Sequence, residues 1–390
     1  MSQPLQPWGG PPGATPHADA MTASDEMVQL LTPEGRRVEH PDFAFTADDA
    51  EIAGLLREMV LARRLDLEGT SLQRQGELGL WPPLLGQEAA QIGSGRAVRD
   101  ADMVFPTYRE HGVAMLRGVP VGDMLALFRG TSMGDWDIDE HRFGQYQIII
   151  GAQTLHATGY AMALQRDGLI GNPEPDRNAA VLVYHGDGAS SQGDVNESYV
   201  FAASFQAPVV FFCMNNQWAI SEPSTRQSRI PLYQRAWGYG FPGVRVDGND
   251  VLAVKAVTDW AMERARQGQG PAFIEAFTYR MGAHTTSDDP TKYRLSEETE
   301  AWRRKDPIER VKTYLLDAGA IDDGWLSDLD AEADALGEHI RSTCRQLDSE
   351  SLAHRFDVLF REPTAESEDD RDAHLSYLAR FEPLSEESAR

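Results

Sequence analysis

Basic residues are scarce in this chain: 36 Lys and Arg stand against 61 Asp and Glu, a net charge of −25 over 390 residues. Nucleic acid and anionic membrane surfaces are therefore disfavoured as partners, because both require a basic face. Any anionic ligand must be held by a local exception to the acidic field. Cysteine is nearly absent as well. Cys213 and Cys344 are the only two, in segments that read as strand and helix, so neither a disulfide framework nor a Cys-type zinc site is available. No apolar run approaches the ~18 residues of a membrane-spanning helix. The first twenty residues, MSQPLQPWGGPPGATPHADA, lack the basic and apolar stretches of a secretory signal. A soluble protein of the reducing cytoplasm is expected.

What is present is an ordinary globular composition, 41% apolar and 25% charged, in a chain longer than the roughly 100–200 residues of a usual domain. Residues 1–25 are rich in Pro, Gly and Ala without periodicity and cannot offset their ordering entropy, which predicts a disordered N-terminal arm. Residues 363–390 form an acidic C-terminal tail. From Glu366 to Arg390 there are eight acids and three bases, which favours a solvated tail over a short helix docked through Leu375, Tyr377, Leu378 and Phe381. Between them, residues 26–362 alternate helical patterning with short apolar runs rich in β-branched residues. This predicts an α/β fold, a mostly parallel sheet with helices on both faces, carrying helical N- and C-terminal extensions. Strands are expected at Ala179–Tyr184, Ala207–Met214, Val244–Val246 and Ala272–Thr278, with helices at Asn196–Phe205 and Val251–Arg266. Asp306-Pro307 and Gly319 bound a further helix, as N-cap with a first-turn proline and as C-terminal stop.

Gly186-Asp187-Gly188 follows one apolar strand and Asn215-Asn216 the next, with 26 residues between Gly188 and Asn215. In a βαβ unit these are the carboxyl ends of neighbouring parallel strands, where ligands bind in open α/β sheets. The glycines let backbone approach a ligand, and the N–H groups from Gly188 to Ser190 are expected to open a helix whose positive end suits a phosphate. Asp187 supplies one anionic oxygen and Asn216 a neutral one. Mg²⁺ is held by one or two protein oxygens plus substrate phosphates, so the pair suits a diphosphate–Mg²⁺ complex. A plain strand-to-helix turn is the bland alternative. A Rossmann fingerprint is a poorer fit, since Asn215-Asn216 stands where an acid should meet a ribose.

A GDG followed at this distance by NN resembles the signature of thiamin-diphosphate enzymes. The surroundings resemble the alpha subunit of heterotetrameric 2-oxo acid dehydrogenases, branched-chain or pyruvate, from about Leu55 to Leu316. The resemblance runs through Gly86-Gln87-Glu88-Ala89, Tyr108-Arg109-Glu110, Ile150-Gly151-Ala152-Gln153, Arg245-Val246-Asp247-Gly248 and Tyr279-Arg280 to Tyr293-Arg294. It implies Asp187, the Asn216 side chain and the Trp218 carbonyl as Mg²⁺ ligands. Tyr108 and Arg109, with Gly188 and Ala189 of the turn, would hold the diphosphate; a guanidinium fork is the local exception that the acidic field demands. The backbone of Ile148 and Ile150 would hold the aminopyrimidine.

His284 lies in the polar stretch YRMGAHTTSDDPTKYR, which reads as a loop. A lone loop histidine is ordinarily structural. The resemblance instead makes it the catalytic histidine, in contact with the cofactor and assisting acyl transfer to lipoamide, with Arg280, Asp289 and Arg294 shaping the loop. Thr285 stands where mammalian relatives carry a regulatory phosphoserine, and no such regulation is expected here. Ala152 replaces the Thr of a potassium site in branched-chain relatives, so that ion is not expected.

The resemblance further implies oxidative decarboxylation of a branched-chain 2-oxo acid such as 3-methyl-2-oxobutanoate and transfer of the acyl group to the lipoyl group of an acyltransferase component. Pyruvate is the alternative substrate, and an acetoin dehydrogenase the less favoured one. The glutamate that activates the pyrimidine belongs to a beta subunit in such enzymes, so an α₂β₂ heterotetramer is expected. A non-catalytic scaffold subunit of the same fold would have lost Asp187, Asn216 or His284, and all three are present.

Overall fold

The computed structural model describes residues 27–347, 356 and 360–381. The expected N-terminal arm and the last residues of the acidic tail lie outside them. A five-stranded sheet carries the fold: β1 (Met103–Phe105), β2 (Val181–Gly186), β3 (Val209–Asn215), β6 (Gly243–Asp247) and β7 (Ala272–Phe277), in the order β1-β2-β3-β7-β6 and parallel throughout. A two-stranded antiparallel hairpin, β4 (Trp218–Ala219) with β5 (Glu222–Pro223), hangs from the end of β3. The main helices are α1 (Asp49–Arg74), α2 (Glu88–Gly95), α3 (Ala152–Arg166), α4 (Gly193–Phe205), α5 (Val251–Arg266), α6 (Pro307–Asp317), α7 (Asp323–Gln346) and α8 (Ala365–Leu378).

The strands are apolar on both sides because both faces of the sheet are covered. Val181, Val183, Phe211 and Phe273 pack with residues of α3 and α4, while Leu182, Tyr184, Phe212 and Ile274 pack with α1, α2 and α5. Helix boundaries follow side-chain caps. Asp48 accepts from Glu51 N at 2.9 Å, Asp250 from Leu252 N at 3.0 Å, and Asp306 from Ile308 N at 2.9 Å just ahead of Pro307. The edge strand β6 does not stay bare. Val28 N donates to Arg245 O at 2.9 Å and Val28 O accepts from Asp247 N at 3.0 Å, so the segment at the start of the described chain covers that edge.

Two expectations are corrected. The helix expected to open at Gly188 is a 3₁₀ turn, Gly188–Ser191, separate from the crossover helix α4, which begins at Gly193 rather than at Asn196. The solvated tail is in part a helix. Thr364 and Ser367 form a reciprocal capping box, and Glu366 and Glu368 sit in the first turn, where negative charge is favoured. Leu375, Tyr377 and Phe381 remain exposed, so α8 is solvated but not unstructured.

Because the sheet is parallel, the segments after all five strands emerge at one edge: Thr107–Glu110, Asp187–Ala189, Asn216–Trp218, Asp247–Asp250 and Thr278–Arg280. The functional site is to be sought there. No helix among the described residues is long and apolar enough to cross a membrane.

Candidate active site

A cleft opens at the carboxyl ends of β1, β2, β3 and β7. Tyr108, Arg109, Ile150, Asp187, Gly188, Ala189, Asn216, Trp218 and His284 all line it. Ile148 does not. Its side chain is exposed, as is that of Ile150, and it stands in the chain between Gln147 and Ile150, which both line the cleft.

Asp187 is 2% exposed, and among the described residues its Oδ2 has no hydrogen-bond partner. Burial pushes its carboxyl up to about 7. Around it the backbone is left open on one side and closed on the other. A side chain at Gly186 would meet no protein atom, whereas a Cβ at Gly188 would lie 2.6 Å from the Ala219 Cβ, so Gly188 alone permits the turn to pack against β4.

The two asparagines after β3 have different tasks. Asn215 is tied to the neighbouring strand, its Nδ2 donating to Glu275 Oε1 at 2.7 Å. Asn216 turns into the cleft, its Nδ2 donating to Gln87 Oε1 at 3.0 Å and its Oδ1 accepting from Trp218 N at 3.3 Å. The turn that follows holds Gln217 at φ 71° and the β-branched Ile220 at φ 56°. Non-glycine residues in that region are strained, and such strain gathers at functional sites.

Arg109 is buried without a carboxylate acceptor. Its Nη1 donates to Pro83 O at 2.5 Å and its Nη2 to His284 O at 3.0 Å, with the Tyr108 ring 5.4 Å from the guanidinium carbon. Arg280 is fully buried beside it, donating to Trp218 O and Ile220 O, each at 2.9 Å. Burial and the neighbouring Arg109 lower its guanidinium to about 10. These two cations make the positive exception in an acidic chain.

The His284 ring closes the group. Its Nδ1 lies 3.4 Å from Arg109 Nη2 and 3.4 Å from Arg280 Nη1, both donors, so Nδ1 accepts and Nε2 carries the proton. Nε2 faces Tyr108 OH at 3.5 Å. Burial, then Arg109 and Arg280, lower the imidazole to about 3, so it stays neutral. Its loop is held by Asp288, whose Oδ2 accepts from His284 N at 2.9 Å and from Tyr293 OH at 2.5 Å, and by Arg294, which donates to the carbonyls of Arg280, Met281 and Gly282.

With this geometry in place, residues 56–348 match the family described as dehydrogenase E1 component. The chain belongs to that family. It is 44% identical over 344 residues to a Mycobacterium tuberculosis protein named 3-methyl-2-oxobutanoate dehydrogenase subunit alpha, covering 88% of this chain and 90% of that one. It is 37% identical over 343 residues to a Staphylococcus epidermidis protein named pyruvate dehydrogenase E1 component subunit alpha, covering 86% and 89%. A Staphylococcus aureus protein of the same name is 40% identical over 296 residues, covering 75% and 78%. Membership in the E1 component family implies an oxidoreductase of 2-oxo acid dehydrogenase complexes that uses thiamin diphosphate.

In this E1 component chain, sequence reasoning missed three contributors. Gln87 was read only as part of a motif, Arg280 only as a loop-shaping residue, and Gln153 only as a flanking position. Gln153 is buried with Nε2 on Tyr184 O at 2.8 Å and its Oε1 unpaired. The available signal for each was its place within a motif.

Proposed function

We propose that the chain is the alpha subunit of a 2-oxo acid dehydrogenase that acts on 3-methyl-2-oxobutanoate and related branched-chain 2-oxo acids, with thiamin diphosphate and Mg²⁺ as cofactors. The observation that carries the cofactor part of this reading is Asp187, a buried carboxylate with one oxygen unpaired at the end of β2, beside Asn216 at the end of β3, while the branched-chain substrate is supported by the 44% identity to the Mycobacterium tuberculosis protein. An unpaired buried carboxylate oxygen is costly unless a cation completes it. No group of three or more His, Cys, Asp or Glu suited to a metal occurs among the described residues. A Mg²⁺ site here would therefore use one carboxylate, from Asp187, with neutral oxygens from Asn216 and the Trp218 carbonyl, leaving the remaining positions to phosphate oxygens and water. The Trp218 carbonyl accepts from Arg280 and keeps a second lone pair.

Thiamin diphosphate, when bound, supplies the carbanion chemistry of decarboxylation. The chain binds and orients. Arg109 and Tyr108 would take the diphosphate, with Gly188 and Ala189 contributing backbone N–H groups, and the open space at Gly186 leaves room for close approach. Ile150 would offer its backbone to the aminopyrimidine. His284, neutral and with Nε2–H directed away from the guanidinium pair, can donate a hydrogen bond at the reacting end and so assist acyl transfer to a lipoyl group.

Among the described residues two acids line the cleft, Asp187 and Glu110, and one oxygen of Glu110, Oε2, accepts both N–H and Oγ1–H of Thr107 at 2.6 Å. In line with the family resemblance, the glutamate for the pyrimidine is assigned to a beta subunit, in an α₂β₂ assembly that serves a lipoylated acyltransferase. Two buried free thiols, Cys213 and Cys344, accord with a reducing cytoplasm. The test is turnover, read as reduction of an artificial electron acceptor, by the purified pair of chains on 3-methyl-2-oxobutanoate, pyruvate and acetoin in parallel. The branched-chain acid should be turned over fastest; turnover of acetoin alone would defeat the proposal.

A further inference from the structure

Gln87 is fully buried beside the cleft, and its side chain carries no charge. What it does is fix an orientation. A primary amide is nearly symmetric in shape and opposite in polarity at its two ends. Asn216 directs its Nδ2 to Gln87 Oε1 at 3.0 Å and its Oδ1 to Trp218 N at 3.3 Å. Turned by half a rotation, Asn216 would set its NH₂ against the Trp218 N–H and its oxygen against the oxygen of Gln87. Both contacts would become repulsive.

Gln87 can serve as this reference because its own backbone is anchored from several sides. Gln87 N donates to Leu84 O at 2.9 Å, and its Nε2 reaches the same carbonyl at 3.4 Å. On one side Gly86 N donates to Glu88 Oε2 at 3.0 Å, and Glu88 Oε1 accepts from Arg63 Nε at 2.8 Å. On the other, Thr278 Oγ1 donates to Gly86 O at 3.0 Å, tying the turn to the end of β7. Gly86 itself has φ +93°, and a Cβ there would lie 2.6 Å from Tyr279 O, so the turn cannot be built with another residue.

We infer that Gln87 is a positioning residue of the cation site: it engages the NH₂ of Asn216, so that the group Asn216 leaves for a ligand is its oxygen. The inference rests on the Mg²⁺ reading of Asp187 and Asn216 given above. Partners that orient a metal ligand typically affect metal affinity by 10–100-fold when removed. Gln87→Met keeps length and apolar volume but loses the acceptor. Gln87→Glu keeps the acceptor, and an ionised carboxylate can only accept, so it holds Asn216 the same way round.

The experiment is a calorimetric titration of thiamin diphosphate into the full chain with its partner chain, at graded Mg²⁺, alongside kcat at saturating Mg²⁺. Gln87→Met should need about 10–100-fold more Mg²⁺ for half-maximal cofactor binding, while its kcat at saturating Mg²⁺ largely returns. Gln87→Glu should match the wild type. The inference is overturned by a Gln87→Met protein with an unshifted Mg²⁺ requirement, or by Gln87→Glu losing Mg²⁺ affinity tenfold or more; the second comparison decides alone should Gln87→Met not fold. A wild-type protein that binds the cofactor equally well in chelator would instead overturn the Mg²⁺ reading beneath it.

Discussion

Through its ring, His284 meets two guanidinium groups, and this arrangement separates a catalytic role from a structural one. The Nδ1 acceptor could be supplied by an asparagine oxygen at the same position, whereas nothing in asparagine replaces Nε2–H. If the ring merely orders its loop, His284→Asn should restore what His284→Ala loses. We expect both variants to bind cofactor nearly normally and both to lose about 10²–10⁴-fold in turnover with a lipoylated acceptor. Near-normal kcat in His284→Asn would mark the residue as structural. Asp187 makes the complementary prediction. Asp187→Ala should abolish Mg²⁺-dependent cofactor binding while leaving the fold intact, since it removes the carboxylate that β2 brings to the cleft; unchanged calorimetric affinity would contradict the assignment. Most of these residues were legible because their chemistry is written in their type and spacing. Gln87 was not, because an orienting amide has no spacing rule. The sequence also set His284 on a loop apart from Arg109, whereas the loop folds back until the Arg109 guanidinium touches the His284 carbonyl at 3.0 Å.

The elements were read best where local and tertiary signals agreed. The helix Val251–Arg266 carries its own Asp250 cap, and Asp306-Pro307 places α6 within a residue of expectation. Strand ends drifted by one or two positions: β2 and β3 begin inside their apolar runs, and β2, β3 and β6 extend past theirs into polar or glycine residues. The three-residue β1 was missed, since a strand that short has no period to detect. At the far end, acidity outweighed the Thr364–Ser367 cap in the reading and hid α8. Between elements, the turn from Trp81 to Pro83 is fixed by a buried histidine. His111 stacks on Trp81 at 4.3 Å, with Nδ1 on Tyr146 OH at 2.9 Å and Nε2 on Pro82 O at 3.2 Å. Burial lowers its imidazole from 6.5 to about 3. Below pH 6.5 the unfolded chain therefore takes up a proton that the folded chain refuses until about pH 3, and stability is lost as pH falls through that window. The stability difference between wild type and His111→Gln should shrink by about 1.4 kcal/mol per pH unit between pH 6 and pH 4. Chemical denaturation of both proteins across that range checks it, and a difference independent of pH would mean that His111 is protonated in the fold.

At the scale of the whole molecule, one parallel sheet brings five strand ends to a single edge, and that edge carries the cleft proposed to hold the diphosphate. The acidic field of the chain is interrupted there by Arg109 and Arg280, which is how an anionic cofactor can be held at a net charge of −25. The cleft's second acid, Glu110, is held through one oxygen by Thr107, and the family resemblance assigns the glutamate for the pyrimidine to a partner chain. That division of labour is the central claim: this chain anchors the cofactor, and a partner chain completes it. The most direct measurement is turnover of 3-methyl-2-oxobutanoate, with thiamin diphosphate, Mg²⁺ and an artificial electron acceptor, by this chain alone, by its beta partner alone and by the two together. Activity only in the combined sample is the predicted result; robust turnover by this chain in the absence of any second polypeptide would contradict the account.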